Sequence, residues 1–370
     1  MGFGIDLRAR SRKGKGLFRR APDPREITDR LGWLVRRLYK AKNPSQVSLG
    51  FSGAQVSLTV EETVELRVRG DTSAIGPGYH ADVIARLAPL LDELDFVWAE
   101  APPSLAQIQQ QMTGWVADEL RAGRTRWGVE RPFVVDAPVL TPLGPRDAAW
   151  RDAVLAGGSP ADAFPWWDEG PGQAARARAL VALWQEVPWR EPVDDDERDL
   201  MKAVDDDLRA ARKAGLAVPA GAWAALLGHM GVEEEGLEPG GPPIGYRRYP
   251  LDVELSGGWQ VTLPGAFVGG WMDDGARYWA TDGDRVLEFT SMTAAEGTTS
   301  DELLGVAPER HPVIERLAEG TRRGRAEAYD ERDMHVVISL SVDAPHVGIL
   351  TCKGAEDAWA LGVWRTLRRR

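Results

Sequence analysis

The segment 233–245, EEEGLEPGGPPIG, constrains this chain more than any other stretch. An acidic run passes into Gly and Pro with no apolar period, so the pattern predicts a linker and not a helix or strand. It divides a chain of 370 residues, a length beyond what one hydrophobic core usually supports. The expected organisation is a basic arm and amphipathic helix over 1–42, an α+β domain over 43–140 and a Trp-rich helical region over 141–232. After the linker comes a separate domain over 246–370.

The segments upstream of the linker alternate between two periods. Residues 1–24 mix Gly, Pro and Arg without a period and read as a mobile arm. Ile27, Leu31, Leu34 and Leu38 then recur at helical spacing. QVSLGFS (46–52), QVSLTV (55–60) and VELRV (64–68) read as strands. A helix follows over 81–94 with Val83, Ile84, Leu87, Leu90, Leu91 and Leu94 on one face, then a short strand, FVW (96–98). Ser104 and Gln107 have the spacing of a capping box at the start of the next helix. PFVVDAPVL (132–140) is expected to close the sheet. Helices are expected near 174–187, 195–214 and 219–229, either as a separate domain or as a layer on the preceding one. Asp194 and Glu197 can cap the middle helix.

Downstream the strands dominate: 252–255, 258–264, 276–281, 285–291, 335–342 and 346–351, with helices expected at 312–320 and 355–368. Asp282-Gly283 lies between two of these strands, a strong hairpin signal. The prediction is an antiparallel sheet with helices on one face, and α+β for the whole chain. GGWQVTLPGAF, RYWATDGDRVLEFTS and the last two strands before AWALGVWRTL resemble the small PsbP-like α/β sandwich over the final third of the chain. The resemblance implies that fold. It carries no single chemistry, so it assigns no catalytic residue.

Charge is unevenly placed. The net charge is −11, yet residues 1–42 hold 13 Lys and Arg against 4 Asp and Glu. The basic arm, with Arg10, Arg12, Lys13, Lys15, Arg19 and Arg20, suits contact with nucleic acid, anionic lipid or an acidic partner, or is simply solvated. The single cysteine, Cys352, forms no internal disulfide, which fits a reducing compartment. With no apolar run long enough to span a bilayer and no secretory core after Arg20, the expected location is cytoplasmic.

Three constellations are candidate sites. Gly76, Gly78, Tyr79 and His80 form a Gly-Pro-Gly loop at a helix start, where free N–H groups favour an anion, although the loop is neither a dinucleotide nor a Walker motif. Asp195, Asp196 and Asp199 match D-D-x-x-D, with a second run at Asp205–Asp207, but acids also belong at a helix N-terminus. In the last hairpin, a turn at Asp343-Ala344 sets His335 against Cys352 and Ser341 against His346. That register makes Val336, Ile338, Leu340, Val342, Val347 and Ile349 the core face, and His335, His346 and Cys352 a possible second site.

The five histidines show no metal spacing, and neither a metal nor a cofactor is expected. Fifteen tryptophans, an acidic body and a basic arm suit a non-catalytic protein-interaction protein, of bacterial accessory or immunity type, whose partner is another protein. The alternatives are a hydrolase or transferase of a phosphate-containing substrate at Gly76–His80, and nucleic-acid association through the arm.

Overall fold

A computed structural model of the chain describes residues 3–12, 29, 46–48, 55–60, 65–237, 240–272 and 275–370. The first element corrects the sequence reading. Gly4–Ser11 is a strand, β1, and it lies inside a five-stranded sheet. The order is β2 (Gln46–Ser48), β3 (Gln55–Val60), β4 (Glu65–Asp71), β1 and β5 (Phe96–Trp98). Ile5, Leu7 and Ala9 alternate with Asp6, Arg8 and Arg10, and Ile5 and Ala9 are buried, so the period of a strand is present under the arginines. Arg10 is therefore part of a sheet. Lys13, Lys15, Arg19, Arg20 and the helix expected from Ile27 lie outside the described residues, apart from Asp29, which is helical.

Two helices, α1 (Pro77–Glu93) and α2 (Leu105–Arg121), follow as expected. Val83, Leu87, Leu90 and Leu91 of α1 join Leu66, Val68 and Phe96 of the sheet in one core. The capping box forms: Ser104 N–H donates to Gln107 Oε1 at 2.8 Å, and Gln107 N–H to Ser104 Oγ at 3.4 Å.

Residues 132–140 do not close this sheet. β6 (Val139–Thr141) pairs with β7 (Gly144–Arg146) and bridges Arg126 through Leu140, and Phe133 bridges Leu251 beyond the linker. Val134 N–H donates to Pro250 O at 2.7 Å, and Asp252 N–H to Pro132 O at 3.1 Å. The sheet is completed instead by the N-terminal strand, which lies between β4 and β5.

Four helices come next: α3 (Ala148–Leu155), α4 (Gln173–Gln185), α5 (Asp195–Lys213) and α6 (Ala220–His229). α4 serves two cores. Ala177 and Val181 pack with the first sheet, while Ala179 and Leu183 pack with Met201, Leu208 and Trp223. The near-continuous Ala and Leu of this helix fit burial on more than one side.

The C-terminal part is a seven-stranded antiparallel sheet. It contains β10 (Val268–Trp271), β11 (Arg277–Thr281), β12 (Val286–Thr293), β13 (Val313–Glu319), β14 (Arg322–Glu331), β15 (Met334–Asp343) and β16 (His346–Lys353). Their order is β10-β11-β12-β16-β15-β14-β13. One face packs on α8 (Asp357–Thr366) and on a smaller sheet of β8 (Leu251–Glu254), β9 (Trp259–Leu263) and β17 (Arg368–Arg369). Trp259, Phe289, Leu350, Cys352 and Trp364 form the centre of that core.

Two expectations fail here. The helix predicted at 312–320 is β13, and β14 follows it through the two-residue turn Gly320-Thr321. Glu315, Arg316, Leu317, Ala318 and Glu319 favour helix individually, but pairing with β14 overrides a propensity of a few tenths of a kcal/mol per residue. The one helix between β12 and β13 is α7 (Ser300–Val306), capped by Thr299 and Glu302.

The register of the last hairpin is also shifted. Ala344-Pro345 makes the turn, so Cys352 pairs with Val337 and His346 with Asp343. The inward face is Val337, Ser339, Ser341, Leu350 and Cys352, and Ile338, Leu340 and Ile349 turn outward.

Candidate functional site

Gly76–His80 is a sealed helix start. Gly76 adopts φ +119, and Gly78 N–H donates to the carbonyl of Trp166 at 3.1 Å. A side chain at Gly78 would meet Trp166 Cδ1 at 2.3 Å, so the glycine is required by close packing and not by a ligand. Tyr79 and His80 are buried. Burial pushes the His80 imidazole down to about 4, so it is neutral at pH 7, and Nδ1 lies 3.5 Å from Thr72 Oγ1.

The acidic runs are divided among separate partners. Asp194 caps α5 through Glu197 N–H. Asp205 accepts the Trp223 indole N–H at 2.8 Å, Asp206 pairs with Lys202 and Asp207 with Arg178. Among the described residues no group of three His, Cys, Asp or Glu is placed to hold a metal. Of the basic arm, Arg12 pairs with Asp92 at the end of α1.

The hairpin trio is not assembled. Cys352 is buried, and desolvation pushes its thiol up to about 12. His346 lies at the other end of the hairpin, its Nδ1 3.2 Å from Thr293 Oγ1. His335 instead sits between two carboxylates, with Nδ1 2.8 Å from Asp330 Oδ1 and Nε2 2.7 Å from Asp357 Oδ1. Those bonds raise its pKa. His335 thereby ties the first turn of α8 to the sheet.

Two surfaces that the sequence reading did not single out carry recognition chemistry. The first is the outward face of the seven-stranded sheet. Strand register aligns Trp279, Glu288, Thr351 and Ile338 in one row, and Thr290, Ile349 and Leu340 in the next. The segment 300–311 covers the β14 side through Arg325, which donates to the carbonyls of Leu304 and Pro308, and through Glu327. Toward β11 the face opens: Trp279 is 39% exposed and Met292 55%, and Ile349 is half-buried. Lys353 and Glu288 pair at 2.7 Å near the end of β16. The alternation is legible in the sequence; of the residues expected in the core on this face, Val336, Val342 and Val347 are buried, while Ile338, Leu340 and Ile349 are only half-buried.

The second is a cleft between the helical region and the C-terminal sandwich. A cavity of 560 Å³ is walled by Trp189, Arg247, Arg248, Pro264, Trp359 and Val363. Arg247 is 3% exposed; its Nη1 donates to Gly265 O at 2.9 Å and Phe267 O at 3.3 Å. Burial pushes the guanidinium down to about 10, still charged at neutral pH. On its other side lies a cavity of 480 Å³ rich in carboxylates, among them Glu186 and Glu197. Glu197 is held by both guanidinium nitrogens of Arg190 and by Val193 N–H. No sequence signal marks Arg247, because a buried arginine looks like a surface one until its neighbours are known.

No family model matches the chain, and no curated protein does. Among solved structures, part of the chain is similar to cyanobacterial PsbP (CyanoP) from Synechocystis sp. PCC 6803, at 13% identity. The match covers 36% of this chain and 98% of that one, with a TM-score of 0.26. Among the described residues, no helix is long and apolar enough to cross a membrane.

Proposed function

We propose that this chain is a non-catalytic interaction protein, of accessory type, that docks on another protein through the open part of its seven-stranded sheet. The observation that carries the reading is the exposure of Trp279 and Met292 beside Ile349 on a regular sheet face. A large aromatic and a methionine held on a rigid scaffold are typical anchors of protein interfaces, and their burial against a partner gains apolar area at little ordering cost. Lys353 and Glu288 neutralise each other at the edge of the patch, and the exposed Arg277 lies in the row of Thr290 and Ile349, between its two anchors. The alternative, a phosphate-containing substrate at Gly76–His80, is disfavoured by the packing of Trp166 over that helix start.

The test is affinity isolation from native lysate with the wild type and with Trp279→Glu/Met292→Glu, after nuclease treatment. The reading expects a stoichiometric protein retained by the wild type and lost by the double variant, at an unchanged unfolding midpoint. A partner held equally by both forms, or none held by either, overturns it.

A further inference from the structure

Arg247 presents a physical problem that its protein neighbours leave open. A guanidinium removed from water normally faces a carboxylate, because an unpaired buried charge costs several kcal/mol. Arg247 is 3% exposed, yet among the described residues its side chain bonds only through Nη1, to the Gly265 and Phe267 carbonyls. Its buried Nε has no hydrogen-bond partner among the described residues. Glu186 and Glu197 attract it only at longer range, against the repulsion of Arg131 and Arg190. Both carboxylate oxygens of Glu197 are taken by Arg190.

The surroundings are built to keep this side chain in place. A side chain at Gly265 would meet Tyr249 O at 2.3 Å and Arg247 O at 2.6 Å, so this loop can close on the Arg247 segment only as glycine. Trp189 adopts φ +54, a conformation that costs a bulky L-residue about 1–3 kcal/mol and is concentrated at binding sites. Arg248 stacks on Trp189 with its guanidinium carbon 4.2 Å from the ring, and Arg285 on Trp359 at 4.5 Å. The cavity at this wall has no carboxylate in its lining, whereas the cavity behind Arg247 has several. An anion is therefore favoured on the tryptophan side alone.

We infer that the 560 Å³ cavity binds a small organic carboxylate with a flat apolar body, its anionic end on Arg247 and Arg248 and its body between Trp189 and Trp359. The volume lies within the range of small-molecule sites. The site is independent of the proposed docking face, so either can fail without the other.

The experiment is calorimetric titration of the full chain with phenylacetate and indole-3-acetate, against phenylacetamide and inorganic phosphate. Two variants accompany it. Arg247→Met removes the charge at similar length. Gly362→Leu fills the cavity from α8, where an added Cβ meets nothing within 4 Å, so this variant keeps its fold if Arg247→Met does not. The inference expects saturable binding of a carboxylate, weakened at least about tenfold in the neutral amide, in phosphate and in Gly362→Leu, as loss of a charge-assisted contact or of the cavity itself requires. Failure of both carboxylates to bind at millimolar concentration overturns it, as does binding that Gly362→Leu leaves unchanged.

Discussion

Trp364 donates its indole N–H to Ser341 Oγ at 2.8 Å, with both residues fully buried between α8 and the seven-stranded sheet. Among the described residues the serine is the partner of that N–H, and Gly324 leaves the ring its space: a Cβ there would meet Trp364 Cζ2 at 2.7 Å. Ser341→Ala leaves the donor desolvated and unpaired, which costs about 1–3 kcal/mol. Urea unfolding of the two proteins measures the difference; equal midpoints would show that the bond contributes nothing net.

His335 makes the attachment of α8 pH-sensitive. Asp357 and Asp330 raise its pKa above the unfolded value, so the stabilisation is complete below the unfolded pKa and disappears as pH rises through the folded one. Because 38% of the imidazole is exposed, screening keeps the effect small. Unfolding midpoints of the wild type should fall relative to His335→Gln as pH rises from about 6. Parallel curves would contradict this assignment.

Arg190 and Glu197 form a bidentate pair with side-chain exposures of only 13% and 9%. Removing one member strands the other, so Glu197→Ala should destabilise by about 3 kcal/mol, at the lower end for broken buried pairs. Chemical denaturation reads this directly. A loss under about 1 kcal/mol, the range of surface pairs, would mean that water reaches Arg190 freely.

The thiol of Cys352 should be inert in the native protein, since it is buried and burial raises its pKa to about 12. Ellman's reagent is expected to titrate one thiol only after unfolding. Rapid native labelling would place Cys352 at an accessible strand end.

Much of the fold was legible because local chemistry and tertiary context agree. Ser104 with Gln107, and Asp194 with Glu197, mark helix starts that form where the spacing places them. The Asp282-Gly283 hairpin forms as well. Where context overrules local preference, sequence reading fails. Arg8 and Arg10 disguise β1, although Ile5, Leu7 and Ala9 keep its period. Helix-favouring residues fill β13 and hide its turn at Gly320-Thr321. In the last hairpin a two-residue slip preserves parity, so the faces are grouped correctly; Val336, Val342 and Val347 are buried as expected, but the face that packs on α8 is the other one. The face with Ser339 and Ser341 looks the more polar in sequence, yet α8 covers it, and the apolar face is covered only in part. The cleft at Arg247 joins residues from distant parts of the chain, and no local pattern could bring them together.

The claim of a docking face is tested most directly by oxidative footprinting of the purified protein alone and in complex with the partner it retains. Trp279 and Met292 should lose most of their reactivity in the complex, while Met334, exposed near the β14–β15 turn, keeps its own. Undiminished oxidation of Trp279 and Met292 in a stoichiometric complex would contradict the account and place the interface elsewhere.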